Sequence, residues 1–402
     1  MNTMNKKFLI YVVCIILIVT CQASIYAADY TTSSTAATAI VPGMDFIGTP
    51  VVLTLAEAVK QVTTAGPGYE SAVLKRDTFE KQSLEQEELW SQWRSISNTL
   101  TAAGPLVPVD VTNPMKSLNA RIVRISRPYL LTQAAIQYQM DINLLAYETT
   151  QSYYRVVQAE EGLKLAEDNL QNRRNILTNT NKKFELGVVS KMDVLTAESA
   201  VTEAEVQLSS ADVALKSLKM SFNQKCNYPL MQRVTLTDKL TKNTQSSIYL
   251  VGCIESALEK RNELTQLQYV LNVAQLTIDD KIMVSHYSAE YMSALLDLRQ
   301  AEKNLRDAKM LIEMDIRAKY LGIINAQKEI VALEKTVTNA TEGYRLAALS
   351  YDAGMNTLVD VHSAQLASYQ AQLGLSNKIL EYNLALSDLS MAIGYGKPSS
   401  GN

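Results

Sequence analysis

The sequence predicts a mainly α-helical fold built from duplicated, long antiparallel helical hairpins. Three observations predict it: few helix breakers, apolar rows at helical spacing that run for dozens of residues, and an internal repeat. The 402 residues include only 15 Gly and 9 Pro, a scarcity that favours uninterrupted helices over a loop-rich or all-β chain. A composition 47% hydrophobic and 20% charged excludes disorder, and a net charge of −3 excludes the basic footprint that nucleic-acid binding needs.

The longest apolar row begins at Leu298. It passes through Ala301, Leu305, Ala308, Ile312, Ile316, Tyr320, Ile323, Ala326, Ile330, Leu333, Val337, Ala340, Tyr344, Ala347 and Tyr351. Its steps mostly alternate between three and four residues, which is the seam of a coiled coil. Tyr153, Val156, Ala159, Leu163, Ala166, Leu170 and Leu177 repeat the pattern in the first half. A helix from Leu130 to Lys183 would be about 80 Å long at 1.5 Å per residue, a length suited to an elongated bundle.

The repeat has a constant offset through its middle. Phe184-Glu185-Leu186-Gly187 through Asp193-Val194 aligns with Tyr351-Asp352-Ala353-Gly354 through Asp360-Val361, so that Gly187 and Gly354 stand 167 positions apart. At the start of each half, Leu55 aligns with Leu250 at an offset of 195, so the first half holds 28 additional residues. Pro105, Pro108, Pro114 and Pro128 place them in 101–127, as a loop or small β-hairpin with strand candidates Leu106–Val111 and Ala120–Ile125. The organisation read from this is a first repeat over 51–228 and a second over 229–394, preceded by an extended segment at 28–50 and followed by a disordered tail at 395–402.

Residues 1–27 read as a secretory signal: Lys6 and Lys7 precede the apolar run Phe8–Thr20, and cleavage fits after Ala23 or Ala27. Cys21 admits a lipid anchor as an alternative. Beyond the signal, Cys226 and Cys253 could form a disulfide or remain buried thiols, and sequence leaves both open.

The two matched segments read as helix–turn–helix tips. Gly187 and Gly354 suit the left-handed residue that closes a helix, and Ser190 and Thr357 suit the N-cap of the next one. Asp193 and Asp360, three residues on, complete two capping boxes in register. These tips resemble the two periplasmic hairpin tips of the TolC family of outer-membrane efflux proteins. Leu53-Thr54-Leu55-Ala56-Glu57-Ala58-Val59 resembles the family's first short helix, and Tyr382 through Leu389, closing at Gly394, resembles its last.

The resemblance implies a homotrimer whose duplicated protomers form a coiled-coil α-barrel at the cell envelope. Its partners would be a periplasmic adaptor (membrane fusion) protein and, indirectly, an inner-membrane transporter. The adaptor-docking tips map to Gly187, Val188, Val189 and Ser190, and to Gly354, Met355, Asn356 and Thr357. Tyr351 and Asp360 match gate positions, although a seam tyrosine and a simple cap explain them equally. Asn356 and Ser363 stand where other members carry an arginine and a second aspartate.

One departure is expected. The strands that would cross an outer membrane need about nine to eleven residues, and the second half shows none between the helix 262–283 and the return helix after Ser285-His286-Tyr287-Ser288. The β-barrel part is therefore expected to be reduced or absent. Two functions follow: an efflux or export channel component, or a barrel-less structural or interaction coiled coil of the envelope. No phosphate loop, nucleophile elbow or zinc pattern is present, so the expectation is no enzyme, no cofactor and no metal.

Overall fold

The computed structural model describes residues 45–102, 115, 117–242, 248–282 and 287–396. The signal at 1–27, most of the extended segment, Leu106–Val111, Ser285-His286 and the end of the tail lie outside them.

Thr54 opens the first helix, α1 (Leu55–Thr64), with a capping box: its hydroxyl accepts the Glu57 N–H while the Glu57 carboxylate accepts the Thr54 N–H. The helix stops at Ala65 and Gly66, the latter at φ +116, and Pro67 starts α2 (Pro67–Ala102) where its missing N–H costs nothing. Ser117 caps α3 (Leu118–Glu185), which at 68 residues is about 100 Å long. A tip joins it to α4 (Lys191–Lys225). The second half repeats the order with α5 (Leu250–Lys260), α6 (Asn262–Ile282), α7 (Ala289–Asp352) and α8 (Leu358–Ile393).

The long helices change partners along their length. The first part of α3 packs on α2, and the rest on α4; α7 packs on α6 and then on α8 in the same way. Lys75–Asp141 and Arg127–Glu87 tie α2 to α3, and Lys219–Glu160 and Arg174–Glu205 tie α4 to it. The repeats join where α3 meets α8. Toward the tips the helices thus form one layer in the order α4, α3, α8, α7, with α4 and α7 at its margins.

Two apolar clusters hold the layer. The first gathers Ala58, Val62, Tyr153, Val156, Leu215, Phe222 and Cys226; the second gathers Ile254, Ala257, Ile312, Ile316, Ile323, Ile330, Tyr382 and Leu386. Ile379 of α8 packs against both. The sequence seam is recovered, since Ile312, Ile316, Ile323 and Ile330 are all buried on α7. Tyr320 is only half-buried, the one seam aromatic that its first-half counterpart Tyr153 outdoes.

Two strands were not foreseen. β1 (Ile47–Leu53) and β2 (Gln232–Leu236) pair in parallel, with Val51 opposite Val234 and Leu53 opposite Leu236. Buried Asn223 donates to the carbonyls of Leu230 and Gln232, which turns the chain from α4 back toward β2. Tyr153 fastens the sheet to the helices. Its hydroxyl lies 2.9 Å from the Asp238 carboxylate and 3.1 Å from the Leu53 carbonyl, and burial pushes its pKa up to about 12. Asp238 in turn accepts the N–H of Leu55 at the start of α1, 2.7 Å away.

The expectation for 101–127 is corrected. Thr101 and Ala102 end α2, and 118–127 begins α3; Ala120–Ile125 is helix, not strand. Ala120, Val123 and Ser126 recur every third residue and are buried, with the Ser126 hydroxyl 2.8 Å from Tyr269 of α6. The arginines of this stretch reach acids on the neighbouring helices, Arg121 to Asp279 and Arg127 to Glu87. α3 continues through Pro128, whose carbonyl accepts the Thr132 hydroxyl. The 28 additional residues are mostly helix. α2 has 36 residues against 21 in α6, α3 starts four positions earlier than α7 at the 167-residue offset, and the interval between the helices of the pair is nine residues longer.

Cys226 and Cys253 are free, one in each cluster, which excludes the disulfide alternative in this structure. Burial pushes the Cys226 thiol up to about 12, leaving it an inert core residue. Tyr395 accepts the Asn262 N–H, so the chain after α8 is tied back to the start of α6.

Because Ile323 is fully buried, Ile323→Ala should cost about 2–5 kcal/mol in chemical denaturation. Tyr153→Phe, which keeps the packing and removes one of the two donors to Asp238, should cost about 1–3 kcal/mol.

Candidate docking tips and helix gate

The two tips are built by the same bonds. α3 ends at Glu185, Gly187 takes φ +75, and the Val188 N–H closes back on the Lys183 carbonyl at 2.9 Å. α7 ends at Asp352, Gly354 takes φ +76, and the Met355 N–H reaches the Ser350 carbonyl at 2.9 Å. These six-to-one closures satisfy carbonyls that a helix end leaves open, and they require a left-handed residue that only glycine adopts freely. Neither glycine has an atom near the place of a Cβ, so the requirement is conformational and not steric.

Each turn then starts a helix with a reciprocal cap. Asp193 N–H donates to the Ser190 hydroxyl at 3.2 Å, and the Asp193 carboxylate accepts from the Ser190 N–H at 2.9 Å. Thr357 and Asp360 make the same pair at 3.3 and 3.0 Å. These bonds hold the Asp360 carboxyl below its ordinary range, the Thr357 hydroxyl contributing most. The cap is therefore complete at neutral pH and is lost only as pH falls below the ordinary carboxylate range.

With their backbones closed, the tips present apolar side chains to solvent. Leu186, Val188 and Met192 are exposed on the first tip, and Met355 and Val359 on the second. Phe184 lies beneath Lys191, whose ammonium is 5.9 Å from the ring centre. Val189 is half-buried, and Asn356 is exposed.

The tips lie at the same end, held by Lys183. Its ammonium binds the Asp352 carboxylate at 3.0 Å, reaches the Tyr351 carbonyl at 3.4 Å and sits 3.9 Å from the centre of the Tyr351 ring. The structure thus brings Tyr351 to Lys183. It does not bring Tyr351 to Asp360, whose carboxylate is engaged in its own cap. The Tyr351 hydroxyl is buried without a partner.

Sequence reasoning missed a polar layer deeper in the bundle. Arg173 of α3 is buried and donates to Nδ1 of His362 and, at 3.4 Å, to its carbonyl. Below it Gln365 of α8 donates to the Asn169 side chain at 3.1 Å, and Asn169 donates to Gln207 of α4 at 3.2 Å. Burial, reinforced by Arg173, pushes His362 down to about 4. Burial also lowers Arg173, against the raising influence of Glu203 and Tyr344. A signal was available: Arg173 falls between Leu170 and Leu177 on the seam, where the apolar row skips one position. Among the described residues no three His, Cys, Asp or Glu side chains converge as metal ligands, and no helix is long and apolar enough to cross a membrane.

With this geometry in view, residues 254–395 match the family model of the outer membrane efflux protein. No curated protein matches the chain. Among solved structures, a membrane protein from Pseudomonas aeruginosa superposes with a TM-score of 0.65 at 13% identity, covering 85% of this chain and 90% of that one. The CmeC outer membrane channel of Campylobacter jejuni gives 0.59 at 14% identity, with 87% of each chain covered. The outer membrane protein VceC of Vibrio cholerae gives 0.61 at 13% identity, with 86% and 97% covered. At these identities the likeness is one of fold, and the fold is the TolC-like helical one.

Replacing Gly354 with Ala should cost about 1 kcal/mol, because φ +76 is unfavourable for any residue with a Cβ. Thr357→Ala, which removes one half of a cap, should cost a similar ~1 kcal/mol. Denaturation curves of both, with helicity unchanged by circular dichroism, check this.

Proposed function

We propose that this chain, which carries an outer membrane efflux protein domain on a TolC-like fold, is the conduit component of an export system at the cell envelope. It works as a homotrimer, and its tips dock a periplasmic adaptor that connects it to an inner-membrane transporter. The repeats 51–228 and 229–394 are its two hairpin units, and the signal at 1–27 directs export.

The observation that carries this reading is the open layer. α4 and α7, at its margins, both present apolar rows to solvent: Met192, Leu195, Val206 and Val213 on α4, and Met310, Met314, Leu321, Val331, Leu346 and Leu349 on α7. Each row spans about 100° of helix or less, the width of a buried face. The two margins are different surfaces, so copies associate α4 to α7, head to tail, and such contacts close into a ring when the rotation from copy to copy completes a full turn. A ring of helical layers encloses a channel. The resemblance to TolC-type proteins supports three copies and assigns Gly187 to Ser190 and Gly354 to Thr357 to adaptor docking. Lys183 and Tyr351 hold the second tip against the first, which supports a closed gate at this end, with Asp360 serving as a cap beside it.

A second reading has one observation in its favour. Only 15 residues (103–117) connect α2 to α3 and six (283–288) connect α6 to α7, too few for a pair of membrane-crossing strands of about nine to eleven residues each, and β1 and β2 belong to a small sheet bonded to α1 and α3. A barrel-less envelope coiled coil would look the same there.

Sedimentation of the exported protein should give a trimer, and Leu321→Glu should shift it toward monomer. A stable wild-type monomer at micromolar concentration would overturn the ring. Adaptor binding should be lost in Gly354→Val with helicity retained. Conductance and adaptor binding together separate the two readings: pores in bilayers, or adaptor binding by a trimer, mark a conduit, while a protein that neither conducts nor binds adaptor marks the structural coiled coil.

A further inference from the structure

Helices α3 and α8 meet through apolar packing around Ile379, while nearer the tips polar pairs between them stand beside the buried Leu358 and Val361 of α8. In that stretch His362 of α8 faces Arg173 of α3. A guanidinium only donates hydrogen bonds, so Nδ1 of His362 must carry a lone pair. The single imidazole proton then sits on Nε2, which is buried without a partner. The ring has no acceptor waiting for a second proton and no carboxylate beside it.

We propose that His362 is an acid-operated release for the tip-proximal part of the α3–α8 contact. On protonation Nδ1 becomes a donor facing a donor, and an imidazolium faces the buried guanidinium of Arg173. Both the hydrogen bond and its electrostatics reverse sign, and the first turns of α8 part from α3.

The surrounding charges do not offset this. From α3 the facing group is Arg173; from α4, Glu203 acts on Arg173; from α7, Tyr344 does the same. On α8 itself Asp360 is committed to the Thr357 cap. The neighbouring polar pair is incompletely satisfied: Gln365 holds Asn169 with one amide edge, and its Oε1 is buried without a partner. Beyond them Lys183 makes the next tie, to Tyr351 and Asp352 of α7.

The sign follows from the histidine's depressed pKa. The folded form holds His362 down to about 4, against an ordinary 6.5, so the opened form binds the additional proton between those values. The contact is at full strength above pH 6.5 and weakens as pH falls through that window toward 4. The inference stands whether or not the molecule conducts.

Hydrogen exchange of the full exported protein tests it, with rates corrected for the intrinsic pH dependence. Between pH 7.5 and 4.5, amides of 358–368 should lose protection by ~tenfold or more, while those of 379–392, in the apolar cluster, stay protected. In His362→Gln, which cannot take up a proton here, the loss should vanish. Should that variant be poorly protected already at pH 7.5, His362→Asn replaces it, since its side-chain oxygen stands near the place of Nδ1. An unchanged wild type overturns the proposal. So does an equal loss in the non-titrating variant, which would assign the response to a group other than His362.

Discussion

Helix α3 cannot satisfy its own buried face. Over about 100 Å it presents an apolar row to one side and then another, and it takes α2, α4 and α8 to cover them. That constraint sets the rest of the protomer. The short helix α1 and the strand β1 are pinned to its middle through Tyr153, whose buried hydroxyl lies between the Leu53 carbonyl and Asp238. The second repeat joins the first because α8 covers the remaining side, near Ile379 with hydrocarbon and nearer the tips with hydrogen bonds.

The change from apolar to polar along the α3–α8 contact divides labour within one helix pair. Hydrophobic contact is non-directional and tolerates small shifts, whereas buried polar pairs demand one arrangement and cost much when broken. On α7 the fully buried residues end at Ile330, well short of the turn at Gly354. The tips therefore rest on caps, on the Lys183 tie, on the Arg173–His362 pair and on a few locally buried side chains such as Val194, Leu358 and Val361, outside the two large clusters. A region held largely by directional bonds can adopt a second arrangement without disturbing the clusters behind it.

Much of this was legible in residues alone. The seam isoleucines of α7 were readable because burial on a long helix imposes a three-to-four spacing. The tips were readable because a left-handed closure needs glycine and a reciprocal cap needs Ser or Thr followed by Asp, and both signatures occur twice at one offset. The polar layer was less so. Arg173 occupies a seam position, but a lone arginine in an apolar row signals either a solvated edge or a buried pair, and its partner lies 189 residues away. The Lys183–Tyr351 pairing was not legible at all, since the two residues meet only because the two hairpins end level with each other.

The sequence by itself determined the duplication, the helical period, the two turns and their caps, because each of these is a local property of backbone conformation or spacing. Tertiary structure decided what local rules leave degenerate. Ala120–Ile125 fits a strand by its alternation and a helix by its three-residue step, and it became helix because Tyr269 and Asp279 of α6 cover the helical face. β1 and β2 are short segments separated by nearly two hundred residues, and their pairing exists only once Tyr153 and Asn223 have brought their ends together. Cys226 and Cys253 could have bonded by any sequence criterion, and the fold placed them in separate clusters, where distance, not chemistry, keeps them thiols.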